Sequence, residues 1–281
     1  MNVKRNGLFL LFAIVCSLFV SAQNYPKAEG ALRILTYNSH YCKGGGDPGQ
    51  INQENMERFA SVIAKLQPDV VAVQELDSAC VHRGSRFLLK DIAEATGMEY
   101  VPVFGNAAPF DRGSIGCGAL IRKGIDIKSV DVLHLPGDEP RVGITIDLGS
   151  FVFVATHSDL NYSLRKEGTE MLCKSIRNIK KPLLAAGDLN DSHLWEKSNS
   201  VFPIWLQQFE IISDTDGNTI PGRADKGALI DYVLLMKNKA ASKVKVLKSQ
   251  IVRTIYLDGK SVDLSGISDH YPVYVDVVFS K

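Results

Sequence analysis

The chain has 281 residues, 45% of them hydrophobic and 22% charged, with 32 bases against 31 acids. That composition belongs to an ordinary globular protein with a sizeable core, and the near-zero net charge removes the simplest electrostatic case for a polyanion partner, leaving only a local patch. Five cysteines without a C-x-x-C pair speak against a structural zinc site.

The first residues read as an export signal. Lys4 and Arg5 precede an apolar run over 8–20 interrupted by Cys16 and Ser17, and Val20-Ser21-Ala22 supplies the small residues of a cleavage site. The run is short for a bilayer, and no later segment approaches the roughly 20 apolar residues of a spanning helix. Cleavage near Ala22 and Gln23 is expected, giving a signal peptide over 1–22 and one domain over 23–281. The mature chain is then exported, periplasmic or extracellular, without a membrane span and expected to be a monomer. A lipid-anchored reading is weaker, because Cys16 lies inside the apolar run and not after it. Loss of Lys4 and Arg5 leaves 30 bases facing 31 acids. Export permits disulfides, and Cys42 with Cys80, each just past a predicted strand end, is the candidate pair, with buried free thiols as the alternative.

Strand and helix patterns then alternate. A strand is predicted over 32–38, and Lys43-Gly44-Gly45-Gly46-Asp47-Pro48-Gly49 after it reads as a surface loop, since no G-K-[ST] follows. Met56, Phe59, Val62, Ile63 and Leu66 recur at helical spacing, closed by Pro68. A buried strand is expected over 70–75 and a helix over 86–96, with Gly97 as its left-handed cap. Strands follow over 100–104, 117–122, 142–148 and 151–157, then a helix over 164–179, a strand over 182–186 and a helix over 201–209. The last strands fall over 231–236, 244–252 and 271–279. With no linker or repeat, this predicts an α/β fold of two or more sheets with helices outside.

Polar residues collect at the strand ends. Asn38, Glu75 and His157 close their strands; Asp188 and Asn190 follow theirs. Asp231 opens its strand, and Asp269 and His270 precede the last one. Neighbouring antiparallel strands place the end of one beside the start of the next, so these residues can meet at one sheet edge. An unpaired carboxylate there would be costly, so each needs a partner. Glu75, Asp188 and Asp269 with Asn38 and Asn190 form an all-oxygen set suited to Mg²⁺, with Mn²⁺ or Ca²⁺ as alternatives. Two histidines add proton-bearing donors, and the whole suits phosphate-ester hydrolysis. Catalytic zinc is disfavoured because His40, His82, His134 and His193 are scattered, with no H-E-x-x-H.

These residues carry a resemblance. Leu35-Thr36-Tyr37-Asn38, Pro68-Asp69-Val70-Val71-Ala72-Val73-Gln74-Glu75, Ala155-Thr156-His157-Ser158-Asp159, Ala186-Gly187-Asp188-Leu189-Asn190, Leu229-Ile230-Asp231-Tyr232-Val233 and Ser268-Asp269-His270-Tyr271-Pro272-Val273 stand in order over 32–279. The sequence resembles the endonuclease/exonuclease/phosphatase superfamily, relatives of DNase I. The resemblance implies a four-layered α/β sandwich, two mixed sheets face to face with helices outside. It implies Glu75 and Asp269 as metal ligands with Asn38 beside them, through a water or holding phosphate. Asp188 would position or deprotonate the attacking water, Asn190 would hold a phosphate oxygen, and His157 and His270 would contact the phosphate, with Asp231 behind His270. Thr156-His157-Ser158-Asp159 stands where the family often has Thr-His-Leu-Asp, a departure bearing on substrate choice.

Three functional readings follow. The first is an exported metal-dependent hydrolase of small or lipid-linked phosphate esters; the second is a secreted nuclease acting on DNA or RNA. The third is a non-catalytic binding module on the same fold, which the filled site positions disfavour. Gly113-Ser114-Ile115-Gly116 makes no nucleophile elbow, so a serine hydrolase has no support. Asp77 and Asp159 read as loop stabilisers, Trp195 and Trp205 as packing residues, and Lys243, Lys245 and Lys248 as guards of a sheet surface or edge.

Overall fold

The computed structural model describes residues 25–44, 52–223 and 225–280. The proposed signal segment and most of the glycine-rich loop lie outside them.

Two six-stranded mixed sheets form the centre. The first runs, edge to edge, β11 (Val244–Ile251), β14 (Val273–Phe279), β1 (Leu32–Asn38), β2 (Val70–Ser78), β4 (Gly113–Arg122) and β3 (Tyr100–Phe110). The second runs β5 (Ser129–Leu135), β6 (Arg141–Asp147), β7 (Val152–His157), β8 (Leu183–Asp188), β10 (Asp231–Met236) and β9 (Phe209–Ile211). Within each sheet the strand before a crossover pairs in parallel, β1 with β2 and β7 with β8, while the remaining pairs are antiparallel.

Strand alternation sorts the apolar side chains into layers. Ile34, Val70, Ala72, Ile144, Phe153, Ala155, Leu184, Val233 and Val275 fill the space between the sheets. Their neighbours Leu35, Val71, Val73, Val154 and Ala185 face outward onto helices. Helix α1 (Gln53–Leu66) presents Phe59, Val62, Ile63 and Leu66 to that face, and Phe59 stacks on Tyr37 at 4.2 Å. Its start is capped by Asn52, whose side chain accepts from the Asn55 N–H. Helix α2 (Leu88–Ala95) ends just before Gly97, at φ 63°. Helix α3 (Tyr162–Ile176), capped by Asn161, and α4 (Phe202–Gln208) cover the second sheet with Leu172, Ile176 and Trp205. This is the expected four-layered α/β sandwich.

Several elements escaped the sequence pattern for identifiable reasons. β5 is an edge strand with Val130 and Val132 exposed, so no buried face writes a period into it. β12 (Thr254–Leu257) and β13 (Lys260–Asp263) form a hairpin turned by Asp258-Gly259, both at positive φ. β3 and β4 extend beyond the expected 100–104 and 117–122 because they form one long hairpin turned at Asp111 and Arg112. β11, which carries Lys243's neighbours Lys245 and Lys248, is an edge strand as expected for lysine-rich sequence.

The Cys42–Cys80 bridge is not formed. Cys42, Cys80, Cys117 and Cys173 are all buried free thiols. The loop after β1 turns Cys42 into the main helix-covered core, whereas Cys80 packs with Tyr41 and Ile115 in a separate small cluster.

One buried ion pair ties the first sheet together. Arg33 on β1 meets its register partner Asp276 on β14 in a two-point contact, Nε to Oδ1 at 2.6 Å and Nη2 to Oδ2 at 2.8 Å, both side chains fully buried. The same guanidinium donates to the carbonyls of Leu66, Tyr25 and Pro26 and lies 4.0 Å over the Tyr274 ring. Removing one partner strands a buried charge, so Asp276→Ala should destabilise by about 3–5 kcal/mol in urea unfolding. Replacing Arg33 and Asp276 together with apolar residues of similar volume should cost less than either single change. A double loss equal to the sum of the two single losses would show that the pair does not act as a unit.

Candidate active site

The central sheet residues set the site by register. β8 ends at Asp188; beside it the parallel β7 places His157, and the antiparallel β10 places Asp231. Three successive strands therefore present a histidine and two aspartates in one row. β1 of the facing sheet delivers Asn38, whose amide nitrogen donates to Glu75 Oε1 at 3.1 Å and Asp188 Oδ2 at 3.2 Å. Gly187, immediately before Asp188, lies against the backbone of β7: a Cβ there would meet the Thr156 carbonyl oxygen at 2.0 Å.

Two site residues sit in strained backbone. Glu75 has φ 54° at an irregularity in the β2–β4 pairing between Val73 and Leu76, and Asn190 has φ 47°. A positive φ is costly for glutamate, and it re-aims the Glu75 side chain out of the strand alternation. His40, Tyr41 and Cys42, just after Asn38, also have positive φ.

Asp188 is buried and accepts the Asn190 N–H at 2.8 Å on Oδ1. His157 Nε2 and His270 Nε2 lie 3.3 and 3.6 Å from its Oδ2. Burial works against its charge, but His270, His157 and the Asn190 N–H outweigh it and hold the carboxyl well below the usual range. His270 Nδ1 lies 2.8 Å from Asp231 Oδ2. Burial opposes the imidazolium, and the carboxylates Asp231 and Asp188 overcome this, lifting its pKa to about 10. His270 is therefore charged at neutral pH. The His270 backbone N–H donates to Ser268 Oγ at 3.1 Å, and that hydroxyl donates to the Asn38 carbonyl at 2.7 Å, pinning the last loop to β1.

Asp188, Asp231 and His270 place ligand-type atoms within 4.8 Å of one another among the described residues. The cluster has the atoms to hold a metal ion, and within it His270 turns Nδ1 to Asp231 and Nε2 to Asp188. Further carboxylate oxygens suited to a hard cation lie on Asp269 and Glu75. Asp269 Oδ1 is buried without a hydrogen bond, 3.6 Å from His40 Nδ1, and Glu75 Oε1 meets the Asn38 amide. An all-oxygen donor set with an unsatisfied carboxylate oxygen suits a divalent cation. Asn38 Oδ1 accepts the His40 N–H at 2.9 Å, and its nitrogen faces the carboxylates. Its place is as a bridge between Glu75 and Asp188.

Asn190 turns its amide nitrogen to the Ser158 carbonyl at 2.9 Å and lies 3.2 Å from His157 Nε2. Asp77 pairs with Arg83, and Asp159 accepts the Asn161 N–H. Trp205 is buried, and Trp195 donates to the Gly227 carbonyl. His134 is exposed, His82 pairs with Asp111, and His193 lies 3.0 Å from the Tyr232 hydroxyl.

A family model described as the endonuclease/exonuclease/phosphatase family matches residues 35–270. The chain belongs to this family. Members of the endonuclease/exonuclease/phosphatase family are hydrolases of phosphate esters. Among solved structures, the chain is similar to an endonuclease/exonuclease/phosphatase from Beutenbergia cavernae, at TM-score 0.66 and 19% identity over 90% of this chain and 72% of that one. It is also similar to a mannosyl-6-phosphatase from Bacteroides thetaiotaomicron, at TM-score 0.61 and 19% identity over 88% of this chain and 100% of that one. The human Nocturnin catalytic domain with bound sulfate aligns at TM-score 0.63 and 15% identity, over 92% and 97% of the two chains. No curated protein sequence matches.

Arg141 was not singled out from the sequence. It opens β6 and places its guanidinium Nη1 3.0 Å from His157 Nδ1. The available signal was its position immediately before the strand expected over 142–148, the same cue that marked Asp231 and His270.

Asp231 accounts for much of the His270 charge, so Asp231→Asn should lower the pH at which the ring titrates from about 10, read by histidine NMR. A His270 pKa above its unfolded value contributes stability fully present below about pH 6.5 and lost as pH rises through about 10. The variant should therefore lose stability at pH 6 and approach wild type above pH 10. An unmoved titration would mean that Asp231 is not what charges the ring.

Proposed function

We propose that this chain is an exported, divalent-metal-dependent phosphoesterase that hydrolyses a small or lipid-linked phosphate ester by in-line attack of water. The observation that carries it is the arrangement around Asp188: a buried, ionised carboxylate with a charged histidine on one side, a second histidine on the other, and Glu75 one amide away.

Each group has a task in this reading. Asp188 orients or deprotonates the attacking water. His270, charged through Asp231 and Asp188, donates to a phosphoryl oxygen as negative charge grows there. His157 and Asn190 supply further donors on the opposite side. Glu75 and Asp269 would hold a divalent cation, Mg²⁺ with Mn²⁺ or Ca²⁺ as alternatives, supplying Lewis-acid neutralisation of the phosphoryl oxygens. No covalent enzyme intermediate is needed.

Small esters are favoured over nucleic acid by the near-neutral charge, and the similarity to a mannosyl-6-phosphatase lends support to a phosphomonoester. Export rests on Lys4, Arg5 and the apolar run after them. Among the described residues no helix is long and apolar enough to cross a membrane.

The protein should hydrolyse bis-p-nitrophenyl phosphate or a sugar phosphate with Mg²⁺, Mn²⁺ or Ca²⁺, and a chelator should abolish this. Asp188→Ala and His270→Ala should each lower kcat by about 10²–10³ or more, the scale of losing a key electrostatic group. Phosphate release without plasmid nicking separates phosphatase from nuclease. Wild-type protein inert toward a broad ester panel with all three metals would overturn the proposal.

A further inference from the structure

The two histidines beside Asp188 are backed by opposite charges. Behind His270 stands the carboxylate of Asp231; behind His157 stands the guanidinium of Arg141. Both rings are buried, and each turns Nε2 toward the same Asp188 oxygen. The chemistry at the far nitrogen decides what each ring is.

A guanidinium has five donor hydrogens and no acceptor. Arg141 Nη1, 3.0 Å from His157 Nδ1, can only donate to it, so Nδ1 must present a lone pair. The single ring proton then belongs on Nε2, which lies 3.3 Å from Asp188 Oδ2 and faces the cleft. Arg141 is itself fixed in plane. Nη2 lies 3.1 Å from Glu139 Oε2, Nε lies 3.7 Å from Asp159 Oδ2, and the side chain is nearly buried. Glu139 in turn accepts from the Tyr41 hydroxyl at 3.1 Å. The turn that delivers Arg141 is tight: a Cβ on Gly137 would meet the Glu139 carbonyl oxygen at 2.1 Å and an Asp159 carboxylate oxygen at 2.9 Å.

We infer that Arg141 is a positioning residue that holds His157 as the neutral imidazole with its proton on Nε2. Resting on the phosphoesterase reading above, this makes the two histidines unequal: a carboxylate stands behind His270, whereas a guanidinium stands behind His157 and leaves it a neutral donor. It also settles the contact with Asn190. An N–H at Nε2 cannot accept from the Asn190 amide 3.2 Å away, so Asn190 gives one hydrogen to the Ser158 carbonyl and keeps the other for the cleft. The orienting group behind a functional histidine is most often a carboxylate or a carbonyl, each of which selects a protonated far nitrogen. Here an arginine selects the reverse.

The test begins with the wild-type full chain. Long-range ¹⁵N–¹H spectra of the ring distinguish a nitrogen bearing a proton from one bearing a lone pair, and His157→Gln assigns the signals. At pH 7 His157 should show a proton on Nε2 and a lone pair on Nδ1. A protonated Nδ1, in either the other tautomer or the imidazolium, overturns the inference without any variant having to fold. Arg141→Met should release the ring to a mixture of tautomers and lower kcat about 10- to 100-fold, with KM changing less. Arg141→Lys keeps one donor for Nδ1 and should restore the Nε2–H signature and part of kcat. Unchanged ring signals and unchanged kcat in a folded Arg141→Met protein would also overturn it. Because the ring spectra need no turnover, a protein inert toward phosphate esters that still shows the Nε2–H form would sink the functional reading and uphold the tautomer.

Discussion

Asp188 is the residue to which the rest of the site answers. It stands at the end of a central strand with almost no access to water, so its charge survives only through the donors placed around it. Asn38, His157, His270 and the Asn190 N–H come from four different segments, and all four reach this one carboxylate. Delivering them requires both sheets, since Asn38 belongs to one and His157 to the other. The sandwich is thus the device that lets a buried carboxylate stay ionised.

The charges are layered outward from that point. Asp231 lies behind one histidine and Arg141 behind the other, and Glu139 and Asp159 lie behind Arg141. Alternating signs of this kind fix protonation states that solvent would otherwise average. The backbone takes part as well. Glu75 and Asn190 hold left-handed conformations that cost energy, and the surrounding strands maintain them because the alternative would aim the side chains away from the cleft. Arg33 and Asp276 serve a different end: a two-point pair remote from the chemistry that fastens β1 to β14, the strands that carry Asn38 and lead out of His270.

Much of this was legible before any coordinates. Helix α1 was readable because Met56, Phe59, Val62, Ile63 and Leu66 share one face, and β8 because an unbroken apolar run ends in a carboxylate. Asn38, Glu75, His157, Asp188, Asp231 and His270 were visible as polar residues at strand ends, where burial demands partners. β5 and β9 were not, since an exposed edge and a three-residue strand carry too little periodicity. Arg141 was passed over because a lone arginine at a strand start reads as a surface base until its neighbours are known. Cys42 and Cys80 looked adjacent along the loops, yet they pack into different clusters.

The sequence by itself determined the layer pattern and the list of chemically capable residues, because alternation and strand-end polarity are local properties written every second residue. Tertiary structure alone decided which partners those residues have. That Asn38 turns its nitrogen and not its oxygen to the carboxylates, and that Asp231 stands behind one histidine while Arg141 stands behind the other, depends on the pairing of strands distant in the chain. A hydrogen bond has a donor and an acceptor within about 3 Å, and no one-dimensional pattern specifies which of several distant groups will arrive.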